Sequence, residues 1–217
     1  MRTIGLIGGM SWESSALYYR WINEAVQEQL GGLHSARIVM VSVDFAEIER
    51  LQHAGRWDEA GVRLSEAARS VKRGGAELLL LCTNTMHKVA DEIAAAVQIP
   101  MLHIADTTAI AIVERGFQRV GLLGTRFTME QDFYRGRLTG CHGLEVLVPD
   151  EEERPVVHDV IYDELCLGRI RPASRDAYRQ VMARLVARGA EAIILGCTEI
   201  TLLVGQEDAT VPCSTRR

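Results

Sequence analysis

The sequence lacks the features that mark several broad protein classes. It has no long apolar run, because the longest, around Leu78–Cys82, is far short of the roughly 20 residues that a membrane span needs. It has no excess of positive charge either, with 24 Lys and Arg against 29 Asp and Glu, a net charge of −5 and no block of like charges. We therefore expect neither a membrane nor a nucleic acid as a partner.

Cysteine pairs and a secretory leader are missing as well. The five cysteines are irregularly spaced and form no CxxC motif, which argues against a disulfide framework and against a zinc site. The segment Met1–Gly9 has no apolar signal core and reads as a strand that runs into a glycine turn. These absences favour a cytoplasmic chain without a metal, in which single thiols can carry chemistry.

Short aliphatic runs alternate with longer segments of helical spacing, which is the pattern of an α/β fold with buried parallel sheets. The predicted strands lie near residues 2–8, 37–43, 77–82, 100–104, 119–124, 144–148 and 191–196. The predicted helices lie near residues 12–29, 58–74, 86–97, 107–115, 129–138, 156–167 and 174–188.

The sequence contains an internal repeat. Arg119–Thr125 echoes Thr3–Gly9 at an offset of 121 − 5 = 116, and Gly189–Leu195 echoes Gly75–Leu81 at an offset of 189 − 75 = 114. Each half thus opens and closes with a similar strand. The repeat predicts two pseudo-symmetric α/β lobes, each built on a parallel sheet.

The predicted lobe boundaries are approximate. We assign residues 1–105 and 206–217 to the first lobe and residues 106–205 to the second. The last five residues, Cys213–Arg217, are too polar for a buried strand. We hypothesise that a frameshift altered this end.

Ligands of parallel α/β sheets bind at the carboxyl ends of the strands. Four such ends carry small polar residues or glycine, namely Gly8–Ser11, Thr83–Thr85, Gly124–Thr125 and Gly196–Thr198. We expect each to run into a helix N-terminus, which favours an anion. The pattern predicts a small carboxylate ligand held between the two halves.

The repeat also singles out one thiol. It aligns Cys197 with Thr83, and Gly196 with Cys82. A thiol at a helix N-terminus is a candidate for reactivity, although a buried and inert cysteine is the alternative. Glu199, two residues further on, can orient or activate this thiol or merely cap the helix.

The remaining candidates are weaker. Inert packing is favoured for Cys82, and Cys141, Cys166 and Cys213 have no supporting constellation. His87 and His103 are at least as consistent with structural hydrogen bonding as with catalysis. The turn Gly5–Gly9 does not have the GxGxxG spacing of a dinucleotide site, which argues against nicotinamide and flavin cofactors.

Three motifs resemble the aspartate/glutamate racemase family, closest to its L-aspartate/glutamate-specific branch, which includes broad-specificity members. They are Ile4–Ser11, Cys82–His87 and Leu195–Ile200. The resemblance implies two α/β lobes, a small amino-acid substrate, no cofactor (pyridoxal phosphate included) and a homodimer. It also implies that one group removes the α-proton and another returns a proton to the opposite face.

Most of the family carries a cysteine in each half, whereas this sequence has Thr83 at the first of the two positions. A hydroxyl is a far weaker acid than a thiol. By the resemblance, Cys197 deprotonates the L-substrate and the Thr83 side reprotonates it. We therefore expect the D-to-L direction to be weak.

The resemblance also places a set of neighbours around the substrate. They are Met10, Gln52, Asn84, Thr85, Thr125 and Thr198. Gln52 lies in the stretch Phe45–Trp57, which we interpret either as an irregular loop over the site or as a solvated helix. No Arg or Lys matches the family's usual grip on the side-chain carboxylate.

Three alternatives stay open. One is a broad-specificity amino-acid racemase or hydantoin racemase of the same fold. The second is a carboxylate-binding protein with little turnover, which Thr83 and the unusual C-terminus favour. A cysteine hydrolase is more distant, because the sequence shows no convincing pairing of a cysteine with a histidine.

Overall fold

The computed structural model describes residues 1–214, which form two compact units, Met1–His103 and a second unit that begins at Ile104. Each unit is built on a four-stranded, all-parallel sheet with α-helices. The predicted α/β class and two-lobed organisation are confirmed. Within the described residues, no helix combines the length and the apolar character that crossing a membrane requires.

The first unit has the strand order β2-β1-β3-β4. Its strands are β1 (Ile4–Gly8), β2 (Ile38–Ser42), β3 (Leu78–Leu81) and β4 (Met101–Leu102). Its helices are α1 (Trp12–Leu30), α2 (Phe45–His53), α3 (Trp57–Arg73) and α4 (Ala90–Val97), with a 3₁₀ turn at Thr85–Val89.

The second unit repeats this arrangement with the order β6-β5-β7-β8. Its strands are β5 (Arg119–Leu123), β6 (Glu145–Leu147), β7 (Ala192–Leu195) and β8 (Cys213–Ser214). Its α-helices are α5 (Ile104–Val113), α6 (Arg126–Glu130), α7 (Arg135–His142), α8 (Arg154–Asp159) and α9 (Pro172–Ala187). A π turn at Val160–Glu164 and 3₁₀ turns at Leu165–Leu167, Thr198–Leu202 and Gln206–Asp208 complete it.

A glycine in each central strand lets a helix approach the sheet closely. A Cβ atom at Gly5 of β1 would lie 2.3 Å from Val71 of α3, and one at Gly121 of β5 would lie 3.1 Å from Leu185 of α9. Both contacted side chains are buried, and each contributes about 1.5–3 kcal/mol of burial free energy. The repeat therefore preserves this close packing of a helix on the sheet as well as the strand order.

All seven predicted strands are confirmed to within two residues at each end. The predicted helices are also present, but three of them are broken. Helix 86–97 begins as the 3₁₀ turn Thr85–Val89, and helix 129–138 is divided into α6 and α7. Helix 156–167 passes from α8 through π and 3₁₀ turns.

The irregular loop expected at Phe45–Trp57 is wrong, because Phe45–His53 forms α2. The Asp44 side chain caps this helix by accepting a hydrogen bond from the Ala46 N–H at 3.1 Å. Ile48 and Gln52, one helical turn apart, are its buried positions. The alternative interpretation of Gln52, as a solvated helix position, is therefore right about the helix and wrong about the exposure of the side chain.

The assignment of residues 206–217 to the first lobe also differs from the structure. Cys213 and Ser214 pair in parallel with Ile193 and Ile194 of β7, although we expected this stretch to be too polar for a buried strand. It lies at the sheet edge, where both residues are only partly buried. Residues 215–217, on which most of the frameshift hypothesis rests, lie outside the described residues.

Candidate active site

In the first unit, the candidate residues collect at the carboxyl ends of β1 and β3. These two strands are neighbours, with Ile7 paired to Leu81. A side chain of α1 links the two ends, because the Ser14 hydroxyl donates to the Cys82 carbonyl at 3.2 Å. Met10, after β1, and Thr83, after β3, therefore follow adjacent strands of one sheet.

The glycine turn after β1 satisfies much of its own hydrogen bonding. The Gly9 N–H donates to the Ser15 hydroxyl at 2.8 Å, and that hydroxyl donates to the Ser11 carbonyl at 2.9 Å. The Ser11 hydroxyl caps α1 by accepting from the Ser14 N–H at 3.4 Å. Met10, a predicted substrate neighbour, packs into the hydrophobic core of the first unit. We expected N–H groups of this turn to bind a carboxylate ligand, but these N–H groups already have acceptors within the turn.

Thr83 is partly buried and belongs to a corner with two histidines. The His87 Nδ1 lies 2.7 Å from the Thr83 carbonyl oxygen, and the His87 and His103 rings meet edge to face with centroids 4.6 Å apart. Because a carbonyl oxygen can only accept, His87 carries its proton on Nδ1. His87 thus has a structural hydrogen bond, and it lies one turn from the proposed catalytic hydroxyl.

Asn84 is the clearest sign of a binding position beside Thr83. It is 5% exposed, and neither its side-chain Oδ1 nor its Nδ2 has a hydrogen-bond partner among residues 1–214. Leaving a buried amide unpaired costs about 1–3 kcal/mol, so such groups need an explanation. A polar ligand that pairs with the amide provides one. Thr85, the next predicted neighbour, is buried beside it.

Gln52 reaches the same turn from α2. Its Nε2 donates to the Met86 Sδ at 2.9 Å, and its side chain is buried. The structure therefore brings Gln52 to the segment that carries Thr83, Asn84 and Thr85. The sequence motif alone did not fix this contact, because 34 residues separate the two partners.

In the second unit, the candidate residues collect at the carboxyl ends of β5 and β7. Thr125 caps α6, where its hydroxyl accepts from the Thr128 N–H at 3.4 Å. Gly196 follows β7, and its N–H donates to the Leu123 carbonyl at the end of β5 at 2.6 Å. Thr125 and Thr198 are both buried. The arrangement repeats that of the first unit.

Cys197 lies two residues after the end of β7 and is the N-cap residue of the 3₁₀ turn Thr198–Leu202. Its thiol donates a hydrogen bond to the Glu199 Oε2, with a distance of 2.7 Å between sulfur and oxygen. The thiol is partly buried, and Glu199 is only 6% exposed. The Cys197 thiol therefore has a polar contact with a buried carboxylate just after the end of β7.

Tyr178 of α9 lies close enough to this thiol for the two groups to interact electrostatically. Burial chiefly raises the pKa of the Tyr178 hydroxyl, with further contributions from Cys197, Glu164 and Cys166. The hydroxyl donates to the Val157 carbonyl at 2.7 Å, which fixes its position. Tyr178 therefore stays protonated near neutral pH.

The expectation that every strand end meets a long helix needs correction. Thr83 and Cys197 precede 3₁₀ turns of five residues each, and Thr125 precedes a five-residue α6. Short turns have little macrodipole to stabilise an anion. The helix-end contribution that we expected at Cys197 is therefore smaller than that of a long helix.

Sequence reasoning missed Glu13 in the first turn of α1. Its Oε2 atom is shielded from solvent and has no hydrogen-bond partner within the described part of the chain. The only sequence signal is an acidic residue in a helical first turn, which is common because it complements the helix dipole. Nothing in that pattern could have distinguished Glu13 from a solvated residue.

A family model described as Asp/Glu/hydantoin racemase matches residues 7–214. The chain belongs to this family. It is therefore a member of a racemase family, whose enzymes are isomerases, and the resemblance inferred from the three motifs is confirmed.

Relatives extend over nearly the whole chain. A candidate Asp/Glu racemase from Yersinia pestis is 60% identical, with a TM-score of 0.92, and the match covers 98% of this chain and 93% of that one. An aspartate racemase homologue from Pyrococcus horikoshii OT3 is 35% identical, with a TM-score of 0.83 and coverage of 98% and 92%. The broad-specificity amino-acid racemase RacX of Bacillus subtilis is 23% identical and covers 96% of this chain and 90% of its own length.

Proposed function

We propose that the chain is a cofactor-independent amino-acid racemase that acts on L-aspartate or L-glutamate. The observation that carries this proposal is the thiol of Cys197, which lies at the carboxyl end of β7 in contact with a buried carboxylate. Thr83 occupies the repeat-equivalent position after β3. Membership of the racemase family supports the reaction class.

In the proposed reaction, the Cys197 thiolate removes the α-proton of the L-substrate, and the electron pair of the C–H bond stays on the substrate. A proton then reaches the opposite face from the Thr83 side. The α-proton is weakly acidic, so the carbanion needs electrostatic stabilisation by preorganised donors. Asn84 supports this role, because its buried amide has no partner among the described residues. Met10, Gln52, Thr85, Thr125 and Thr198 are the other proposed substrate neighbours.

A broader substrate range is the second candidate. The cation of the Thr85–Val89 turn, Lys88, has its Nζ 4.2 Å from the centre of the Trp57 ring. Burial lowers the pKa of this amine. RacX, a relative over most of the chain, is named as broad in specificity. A panel of L-amino acids separates the two candidates.

We also propose a cytoplasmic homodimer that binds a small amino acid. All five cysteines are free thiols, which suits a reducing compartment. The dimer rests on the family resemblance. Light scattering of the purified chain measures its mass directly, and a monomer at micromolar concentration would contradict this part of the proposal.

The first experiment is proton NMR of L-aspartate and L-glutamate in D₂O with the purified chain. We expect the α-proton signal to disappear, and we expect Cys197→Ala to slow that loss by at least about 100-fold, because a positioned base contributes about 10²–10⁴. Chiral analysis of the product then establishes racemisation. Retention of both α-proton signals by a folded sample would contradict the proposed substrates.

A further inference from the structure

Glu13 differs from the other polar side chains at the start of α1. The hydroxyls of Ser11, Ser14 and Ser15 each take part in a described hydrogen bond. Glu13 is partly buried, and its Oε2 atom is shielded from solvent without a hydrogen-bond partner among residues 1–214. A shielded carboxylate oxygen that lacks a donor costs free energy, so this position calls for an explanation.

Helix capping does not explain why this oxygen is shielded. In a capping box, the acidic side chain at the third helical residue reaches back to the backbone of the N-cap residue. Ser11 is the N-cap of α1, so the third residue is Ser14 and Glu13 is the second. The helix dipole favours a carboxylate near the N-terminus, but it also stabilises one that is solvated. The shielded Oε2 atom therefore indicates a donor from outside the helix.

A second buried polar group without a partner lies at the same edge of the first sheet. Asn84 is 5% exposed, and both polar atoms of its side chain lack a partner within the described residues. A hydrogen bond of 3.2 Å from the Ser14 hydroxyl to the Cys82 carbonyl joins the two segments. Glu13 directly precedes Ser14. Asn84 follows Cys82 by two residues, so the two unpaired groups belong to segments that touch.

Together the two groups need a ligand that carries both donors and acceptors. A carboxylate oxygen only accepts, whereas an amide offers an acceptor oxygen and a donor nitrogen. A zwitterionic α-amino acid matches this set, because its ammonium group has three N–H donors and its carboxylate accepts. Within the part of the chain that the structure describes, no cluster of three or more His, Cys, Asp or Glu side chains is arranged to hold a metal ion. An organic cation therefore fits Glu13 better.

We propose that Glu13 binds the α-ammonium group of the amino-acid substrate through its Oε2 atom. This inference rests on the proposed function and adds to it the group that recognises the positive charge of the substrate. The six other proposed substrate neighbours are Met, Gln, Asn or Thr residues, so none of them offers a negative charge to an ammonium group. A hydrogen bond between an ammonium group and a carboxylate is about twice as strong as one between neutral groups.

The contact also serves the proposed reaction. A bound ammonium group keeps its proton and withdraws electron density from Cα, which makes the α-proton easier to remove. It also fixes one of the four substituents of Cα, so the C–H bond points in a defined direction. Asn84, on the adjoining segment, then pairs with the carboxylate of the same substrate.

Ligands with and without an ammonium group test the proposal. Succinate has the two carboxylates of L-aspartate and lacks its ammonium group. We expect calorimetry at pH 7 to show that Glu13→Gln weakens the binding of L-aspartate by about 10–100-fold, because a hydrogen bond to a charged group is lost. The same variant should change the binding of succinate by less than about threefold. L-glutamate and glutarate form a second pair for this comparison.

Two further variants control for structure. Glu24→Gln is the matched control, because Glu24 is an exposed carboxylate on the same helix that pairs with Arg20. It should leave the affinities for all four ligands unchanged. Glu13→Asp keeps the charge on a shorter side chain and should bind L-aspartate more tightly than Glu13→Gln does. Circular dichroism spectra show whether each variant is folded.

The wild type provides a decisive test even if the variants of Glu13 fail to fold. It should bind L-aspartate or L-glutamate at least about tenfold more tightly than the matching dicarboxylate, and equal affinities would overturn the inference. If Glu13→Gln weakens both members of a pair equally, the residue supports only the structure of the turn, and the inference is wrong.

The inference and the proposed function fail in different ways. Binding of L-amino acids that depends on Glu13, without α-proton exchange on any of them, would refute the racemase reaction and leave the inference standing. Exchange with the same KM in Glu13→Gln as in the wild type would overturn the inference and leave the reaction standing. A folded wild type that binds no amino acid would overturn both.

Discussion

The two strand ends that carry Thr83 and Cys197 have the same backbone arrangement but different side-chain chemistry. Each follows a buried central strand and leads into a five-residue 3₁₀ turn. The first end combines a hydroxyl with His87, whose Nδ1 lies 2.7 Å from the Thr83 carbonyl, and the second combines a thiol with a buried carboxylate. The two ends therefore share a backbone frame, while their side chains differ between a hydroxyl at Thr83 and a thiol beside a carboxylate at Cys197.

This difference predicts a direction for the reaction. A racemase with two equivalent thiols has a base on each face of its substrate, so it accepts either enantiomer. In the proposed reaction, the Cys197 side provides a thiol, which in model peptides ionises at about 8.5, and the Thr83 side provides a hydroxyl, which is a far weaker acid. We therefore expect L-substrates to be deprotonated faster than D-substrates, and equal initial rates from the two enantiomers would contradict the asymmetry.

The largest effect should come from making the two ends chemically alike. Thr83→Cys places a thiol at the first end, where the partly buried position tolerates a side chain of similar size. We expect α-proton exchange of D-aspartate or D-glutamate in D₂O to rise by about 100-fold, because a competent base then serves that face.

The matched control is Thr83→Ser, which keeps a hydroxyl and should leave exchange of the D-enantiomer low. If Thr83→Cys folds, exchanges the L-enantiomer normally and gains nothing on the D-enantiomer, the role assigned to the Thr83 side is wrong. For each variant, exchange is measured on both enantiomers of one amino acid in the same buffer, so the L-enantiomer serves as the control for the D-enantiomer.

A second difference lies one residue earlier, where Cys82 in the first unit corresponds to Gly196 in the second. The Cys82 side chain is fully buried, whereas a Cβ atom at Gly196 would lie 2.6 Å from the Leu123 carbonyl oxygen. Gly196→Ala must therefore move the end of β7 and the thiol after it. We expect exchange of the L-substrate to fall about tenfold, since a misplacement of about 1 Å costs up to about 100-fold.

Gly140→Ala is the matched control for this prediction. A Cβ at Gly140 of α7 meets no atom within 4 Å, so the substitution should leave exchange unchanged and stabilise the helix slightly. Normal exchange by Gly196→Ala would show that the thiol tolerates a displaced strand end. Circular dichroism spectra of both variants show whether a loss of exchange is caused by unfolding.

The sequence predicted the central architecture because aliphatic strands and the repeat are local signals. It also selected Cys197 and Thr83, since repeat alignment places them at equivalent strand ends. It could not predict that Gln52 is buried against Met86, because α2 depends on a cap at Asp44 and on a contact across 34 residues. Within residues 1–214, buried side-chain atoms of Asn84 and Glu13 have no hydrogen-bond partner. Sequence patterns cannot show this, because they describe periodicity and not hydrogen-bond satisfaction.

The two short edge strands β4 and β8 also differ in their surroundings. We expect substitutions near β8 to have the smallest effect on the reaction. The segment that leads into β8 is anchored by Asp208, whose side chain is fully shielded. Its carboxylate accepts from Arg175 Nε and Nη2 at 3.0 and 2.8 Å, from the Gly205 N–H at 2.9 Å and from Arg179. We expect Asp208→Asn to reduce the free energy of unfolding by about 2 kcal/mol, measured in urea.

The pH dependence of stability identifies that anchor as an ionised carboxylate. Hydrogen bonds from Arg175 chiefly lower the pKa of Asp208 from 3.8 to about 2. Because the folded protein favours the deprotonated form, the contribution of Asp208 is complete above pH 3.8 and is lost as the pH falls toward 2. The stability gap between the wild type and Asp208→Asn should therefore narrow over this interval. Glu207→Gln, which removes an exposed carboxylate that contacts the same Arg175, should change stability by less than about 0.5 kcal/mol. A gap that stays constant down to pH 2.5 would mean that packing, and not charge, holds the segment before β8 in place.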